Sequence, residues 1–230
     1  MISTDAVQQA KHAAAKAAAD LIQDGMCVGL GTGSTATYFI DYLIDRQKRS
    51  GLKIKAVASS ERSAKQARDG GIPLSDINTL TSVDIAVDGA DEIDHHKRMI
   101  KGGGGALLRE KIVASMSREM VVIVDESKVV KQLGSFPLPL EITPFAFTAT
   151  LFKICSLGYR GAMRLKQDGH YYATDNGNYI IDITFPKKCA DPEKDQQILR
   201  AIPGVLETGF FFGMAGRVLI GHPNGTTTTM

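Results

Sequence analysis

Cysteine, net charge and long apolar runs are all scarce in this chain, and each scarcity narrows what it can be. Three cysteines, Cys27, Cys155 and Cys189, stand far apart with no CxxC pair among them. That argues against a disulfide framework or a zinc knuckle and fits a reducing, cytoplasmic setting. Lys and Arg together exceed Asp and Glu by only 27 to 25, for a net charge of +2, so neither nucleic acid nor a membrane surface is expected as a partner. The one compact basic run, Arg46-Gln47-Lys48-Arg49, falls at a predicted helix end, where cations suit the helix dipole and a solvated face is expected. No apolar stretch approaches the ~20 residues of a membrane span. The N-terminus has no basic segment followed by an apolar run, so no secretory signal is expected. Internal repeats, low-complexity tracts and flexible linkers are also missing.

What remains is a chain of 230 residues, 43% hydrophobic, long enough for one large domain or for one domain carrying a smaller one. Asp5 to Gln23 is Ala-rich and helical, with Asp24-Gly25 as a stop. Strands are predicted at Met26–Leu30, Lys53–Ala58, Val83–Val87 and Met120–Val124. Helices fall between them, one ending near Ser50-Gly51, one capped by Ser60 and running to Arg68, one from Ala106 to Met116. Strands alternating with helices imply a mostly parallel sheet covered on both faces, an α/β fold. After Phe136-Pro137-Leu138-Pro139 the rhythm changes. Strand Leu138–Ile142 is followed by a helix from Pro144 to Leu157 capped by Thr143. Strands Arg160–Lys166 and Tyr179–Phe185 form a hairpin, with a turn at Asp175-Asn176-Gly177-Asn178. A helix starts at Asp191-Pro192, and a strand covers Val205–Phe211. The order β-α-β-β-α-β is the ferredoxin-like pattern. A last strand, Arg217–Ile220, is free to return to the first sheet.

Ligands of open parallel sheets bind beyond the carboxyl ends of the strands, and three unusual sequences fall there. Gly31-Thr32-Gly33-Ser34-Thr35 offers backbone amides, hydroxyls and a helix N-terminus to an anion. With Ala36 it fits a permissive dinucleotide fingerprint, but the next strand ends in Ala58-Ser59-Ser60, without the acidic residue that holds an adenosine ribose. A Walker loop would need Gly-Lys-Ser/Thr, which is absent. A phosphate loop and a plain strand-to-helix turn both stay open. Asp88-Gly89-Ala90-Asp91-Glu92, followed by Asp94, His95 and His96, crowds carboxylates that repel one another. Proton transfer to sugar hydroxyls, metal binding and a solvated acidic turn are its three readings. The spacing fits neither a calcium loop nor a zinc helix motif, and the histidines read as surface loop. Lys101 precedes four glycines, Gly102 to Gly105, whose entropic cost makes sense where backbone passes close to something. Lys101 can stabilise an oxyanion. Glu110 lies early in the next helix and can face back over the glycine turn, although within the Arg109-Glu110-Lys111 run it reads by itself as a surface glutamate. Lys128, after the last strand of this half, faces a phosphate or solvent.

Together these residues resemble the type A ribose-5-phosphate isomerase family. The matching segments are G-T-G-S-T at 31–35, V-D-G-A-D-E at 87–92, K-G-G-G at 101–104, R-E-K at 109–111 and S-K at 127–128. F-P-L-P at 136–139, T-D-N-G-N at 174–178 and A-I-P-G-V at 201–205 continue the match along nearly the whole chain. Gly105 stands where some relatives have alanine. The resemblance implies a Rossmann-like parallel-sheet domain (1–132 plus 209–230) with a smaller ferredoxin-like α+β domain (133–208). It implies interconversion of D-ribose 5-phosphate and D-ribulose 5-phosphate through a cis-enediolate, in the non-oxidative pentose phosphate pathway. No cofactor and no metal are implied, and a homodimer or homotetramer is. By resemblance, Glu110 is the general base, Lys101 stabilises the enediolate oxygen, and Asp88 and Asp91 handle hydroxyl protons and ring opening. Thr32, Gly33, Ser34, Thr35, Gly89, Ala90, Gly102, Gly103, Gly104 and Lys128 hold substrate, and Lys11 assists. Glu92 receives no chemical role. Two rivals differ in kind. A coenzyme A transferase-like enzyme predicts a covalent glutamyl intermediate. A sugar-phosphate sensor predicts an attached helix-turn-helix, against which the single Ala-rich helix of the first 25 residues counts.

Overall fold

Short apolar strands alternating with amphipathic helices give the chain its order, seen here in a computed structural model that describes residues 4–230. The elements are α1 (Thr4–Ala19), β1 (Cys27–Leu30), α2 (Ser34–Ser50), β2 (Lys55–Ala58), α3 (Glu61–Asp69), β3 (Ile85–Asp88), β4 (Glu92–Asp94), β5 (Met99–Ile100), α4 (Leu107–Ser115), β6 (Met120–Asp125), β7 (Val129–Val130), β8 (Leu138–Ile142), α5 (Phe147–Ser156), β9 (Arg160–Met163), β10 (Tyr179–Thr184), α6 (Pro192–Arg200), β11 (Val205–Thr208), β12 (Phe210–Phe211), β13 (Ala215–Gly221) and β14 (Thr227–Thr229). They fall into two compact units. The first runs to Ala90 and adds Arg109–Val129 and Gly213–Met230; the second comprises Asp91–Leu108 and Val130–Phe212.

The first unit is built on a six-stranded sheet ordered β14-β13-β6-β3-β1-β2, parallel except for β14 at its edge. Strands covered on both faces read as continuous apolar runs, and β6 is buried along its whole length. Helix α1 approaches closely because the face it buries is alanine: Ala14, Ala15 and Ala18. Where it meets β13, only glycine fits, since a Cβ on Gly221 would lie 1.8 Å from the Ala10 carbonyl oxygen. Helix α2 buries Phe39, Ile40 and Leu43 and ends at Gly51 in the left-handed region.

In the second unit β8-α5-β9-β10-α6-β11 forms an antiparallel sheet ordered β11-β8-β10-β9, the ferredoxin-like arrangement. Alternation along the strands splits its faces. Leu138, Leu140, Ile142, Ile181 and Ile183 share a core with Ile154 and Leu199 of the two helices. The alternate positions carry Glu141, Asp182 and, opposite Glu141 in register, Glu207. A second antiparallel ladder joins β12, β5 and β4.

Several expectations change. Segment 91–108, read from sequence as part of the Rossmann-like domain, belongs to the second unit. Met99 and Ile100 pair with Phe211 and Phe210, and the Lys101 N–H donates to the Gly209 carbonyl at 2.8 Å. The predicted strand 205–211 is two strands in different sheets, broken at Gly209. A Cβ there would strike the Lys101 carbonyl oxygen at 2.3 Å. The helix expected from Pro144 starts at Phe147. Ala146 takes a left-handed φ of 54°, and the Thr143 hydroxyl accepts from the Phe145 N–H instead of capping the helix. The first helix stops at Ala19 rather than Gln23. Arg46 donates to the carbonyls of Ala19 and Ile22, so part of the basic run closes a helix end rather than facing solvent.

Candidate active site

The first unit gathers its polar residues at the carboxyl ends of β1, β2, β3 and β6. After β1, Gly31 lies so close to β3 that a Cβ would sit 2.2 Å from Asp88 Oδ1. That oxygen accepts the N–H groups of Thr32 at 2.9 Å and Gly89 at 2.8 Å, and Asp88 is 4% exposed. The Thr32 hydroxyl turns inward. It lies 2.8 Å from Ser59 Oγ and donates to Ser60 Oγ at 2.8 Å, while Ser63 Oγ donates to the Gly31 carbonyl. This cluster of hydroxyls braces the turn from below, and Ser60 also caps α3 through the Ser63 N–H. Thr35 is buried and Ser34 exposed. Gly33 precedes α2 at φ 126° and supplies no side-chain cap. The first N–H groups of a helix lack intrahelical partners, so this end is suited to an anion. Lys11 Nζ, donating to Ser34 Oγ at 3.0 Å, adds a cation beside it.

Glu110 sits in the first turn of α4, 4% exposed, and lines a small hollow together with Asp88, Gly31 and Ser59. It is no surface glutamate. Its neighbour Arg109 reaches Glu61 at 3.0 Å instead. Lys128 ends a single helical turn after β6 that is capped by Asp125.

The second unit holds Asp91, Lys101 and the glycine turn. Asp91 Oδ2 accepts the Gly103 N–H at 2.8 Å, and a Cβ on Gly103 would lie 2.6 Å from Asp91 Oδ1. Lys101 is 2% exposed, with Nζ 5.4 Å from the centre of the Phe211 ring. The four acidic residues of 88–94 are therefore not a solvated turn. Glu92 accepts the N–H groups of Gly134 at 2.7 Å and Phe136 at 2.8 Å. Asp94 accepts from the His96 N–H and from Arg98. Each carboxylate finds its own donors, which removes the repulsion that their spacing suggested. His95 and His96 are exposed, as expected of a loop. Among the described residues no group of His, Cys, Asp and Glu side chains is arranged to hold a metal ion.

Sequence reasoning gave Ser59 and Ser63 no role and Ser60 only that of a helix cap; only a fold brings the three under the first turn. It also missed the latch of segment 174–178. Glu141, fully buried, accepts from Thr174 Oγ1 at 3.0 Å, Asn176 Nδ2 at 3.0 Å and Asn178 Nδ2 at 2.8 Å.

Buried carboxylates beside an anion-ready helix end, on a parallel α/β scaffold, define an enzyme of acid–base chemistry on a small anionic molecule. Known proteins make the class specific. The family model described as ribose 5-phosphate isomerase A (phosphoriboisomerase A) matches residues 55–225. Ribose-5-phosphate isomerase A of Protochlamydia amoebophila is 53% identical over 219 residues, 95% of this chain and 94% of that protein. The Bacillus mycoides protein of the same name is 46% identical over 94% of this chain and 96% of its own. The solved ribose 5-phosphate isomerase A of Methanocaldococcus jannaschii superposes with a TM-score of 0.91 at 38% identity, covering 97% of this chain and 98% of that one. A D-ribose-5-phosphate isomerase solved in complex with phospho-erythronic acid gives 0.92 at 36%, with the same coverage. The chain belongs to the ribose 5-phosphate isomerase A family.

Proposed function

We propose that this protein interconverts D-ribose 5-phosphate and D-ribulose 5-phosphate through a cis-enediolate, as a step of the non-oxidative pentose phosphate pathway. The observation that carries the reading is likeness along more than nine-tenths of both chains to proteins of that name, one of them holding a phosphorylated four-carbon sugar acid. The roles of individual residues are part of the same proposal and rest on the family's sequence motifs. Glu110 removes the proton from carbon 2 of the open-chain aldose and returns it to carbon 1. Lys101 stabilises the negative oxygen that develops in between. Asp88 and Asp91 move hydroxyl protons between the two oxygens and help open the furanose ring. Thr32 to Thr35, Gly89, Ala90, Gly102 to Gly104 and Lys128 hold the substrate, with Lys11 assisting beside Ser34. The carbon-bound proton is weakly acidic, so a base and a stabilised oxyanion are needed together. The place of Glu110 favours its role, since it is buried in the first turn of α4 and lines a hollow with Asp88. The chain works in the cytoplasm, as a homodimer or homotetramer, and no helix among the described residues is long and apolar enough to cross a membrane.

The test is direct. Purified protein, dialysed against a chelator, is given ribose 5-phosphate in deuterated water, and ribulose 5-phosphate is followed with its deuterium content. Conversion with solvent deuterium in the product, and no need for added metal, is expected. No conversion removes the reading. Conversion restored only by a divalent cation transfers the role of Lys101 to a metal.

A further inference from the structure

The turn Gly102–Gly105 is held by side chains from far along the chain, all within the second unit. Arg164 Nη1 donates to the Gly102 carbonyl at 2.9 Å and to the Gly103 carbonyl at 3.2 Å. Tyr172 donates its hydroxyl to the Gly104 carbonyl at 3.2 Å. Arg164 is itself locked. Its Nε and Nη2 reach the two oxygens of Asp182 at 2.8 and 2.5 Å, and its guanidinium carbon lies 5.8 Å from the centre of the Tyr172 ring. A guanidinium held by a carboxylate fork has its plane fixed, so the remaining donor points one way.

Three carbonyls drawn to one side have a consequence for the amides. No peptide bond among the described residues is cis, and in a trans peptide the N–H points opposite to the preceding carbonyl. The Gly103 N–H is taken by Asp91 and the Gly105 N–H by the Gly102 carbonyl. The N–H of Gly104, turned away from Arg164, meets no acceptor among the described residues, and Gly103 and Gly104 are both exposed. Resting on the reading of this turn as substrate-binding, we propose that Arg164, locked by Asp182, is a positioning residue that aims the Gly104 N–H at the oxygens of the reacting carbons. The donor is set before substrate arrives, and such preorganisation is worth most where charge develops during the reaction. The bulk of Tyr172 against Gly105, where a Cβ would meet its hydroxyl at 2.3 Å, keeps the turn from relaxing.

The experiment compares wild type with Arg164→Gln and Asp182→Asn. A misdirected donor costs the chemical step more than substrate capture. For Arg164→Gln, kcat is expected to fall about 10- to 100-fold with KM within about 3-fold. Affinity for phospho-erythronic acid, whose carboxylate stands for the enediolate oxygens, should fall with kcat. Inhibition by inorganic phosphate and the melting temperature should stay near wild type. Asp182→Asn, which leaves Arg164 present but loosened, should show the same pattern more weakly. The double variant should be no worse than Arg164→Gln, because the two act as one unit. Wild-type kcat in folded variants overturns the proposal. So does a loss of both ligands together with melting temperature, which marks a merely structural role. If Arg164→Gln does not fold, Asp182→Asn decides between the same two results. An inactive wild type instead removes the isomerase reading on which this rests.

Discussion

Residues 31–35 and 102–105 are both glycine turns after a strand, yet the chain builds them by opposite means. The first is braced from within its own neighbourhood. Gly31 makes room for Asp88, and serines at 59, 60 and 63 hold the Thr32 hydroxyl and the Gly31 carbonyl, leaving a helix N-terminus facing outward. The second runs into the shorter helix α4 and is held mainly by side chains from far along the chain. Its carbonyls are pinned by Arg164 and Tyr172 and one of its amides by Asp91. A glycine turn is thus no single device. In one, glycine supplies space for a neighbour; in the other, it supplies backbone bare enough to be gripped from one side and to present a donor on the other.

If the units divide labour, base chemistry belongs with the first and charge stabilisation with the second, and substitutions separate them. The largest effect is expected from Glu110→Gln, which keeps shape and removes the proposed base. Turnover should fall by about 10²–10⁴-fold while affinity for a phosphorylated analogue holds. Turnover above a tenth of wild type would mean that another residue is the base. Lys101→Ala comes next, with kcat lower by about 10²–10³-fold, the scale of losing one oxyanion partner. Steady-state kinetics showing only a raised KM would place Lys101 in binding alone.

Gly31→Ala tests the first turn as a spacer. The added Cβ lands on Asp88, so urea unfolding should show a loss of about 1–3 kcal/mol, the usual range for overpacking. Wild-type stability would mean that the turn yields. A finer contrast lies between two hydroxyls of the same turn. Thr32→Val removes a buried hydrogen-bonded hydroxyl and should cost about 1 kcal/mol or more of stability. Ser34→Ala, at an exposed position beside Lys11, should leave stability within about 0.5 kcal/mol and raise KM. Reversed outcomes would reverse the roles.

The smallest effect belongs to an ion pair beside the start of β6, at the end of the first unit's sheet away from the 31–35 turn. Arg217 hydrogen-bonds Glu119 bidentately at 2.6 Å and holds its carboxyl below the ordinary range, against a smaller opposing effect of burial. A carboxyl depressed in the folded state stabilises above its unfolded value and loses that contribution as pH falls through its folded value. Both side chains are partly exposed, so solvent screens the pair. Glu119→Gln should cost about 0.2–1 kcal/mol at pH 7. The difference from wild type should close as pH drops below about 4. A constant difference across that range would assign it to packing.

Much of this was legible because it is local. Ser60 capping α3, Gly51 ending α2 and Asp191-Pro192 opening α6 each depend on residues a few positions apart, and all three are found. The ferredoxin-like order followed from alternation and turn residues. Misreadings arose where a distant partner overrode a local signal. Thr143-Pro144 is a sound helix start by local rules, but the Thr143 N–H is committed to the Gly204 carbonyl at 2.9 Å, and the helix waits for Phe147. Glu92 looked idle beside Asp91, although it secures the turn at 134–136 from 42 positions away.

By itself, then, the sequence determined the kinds of elements and which polar residues stand at strand ends, because periodicity, capping and glycine placement act within a turn or two of chain. Only the tertiary structure decided what each polar group holds. Asp88 meets the Thr32 amide across 56 positions and Arg164 meets the Gly102 carbonyl across 62. No local pattern encodes such pairings. A buried carboxylate or carbonyl must find a donor, and which donor arrives is settled by how sheets and turns pack.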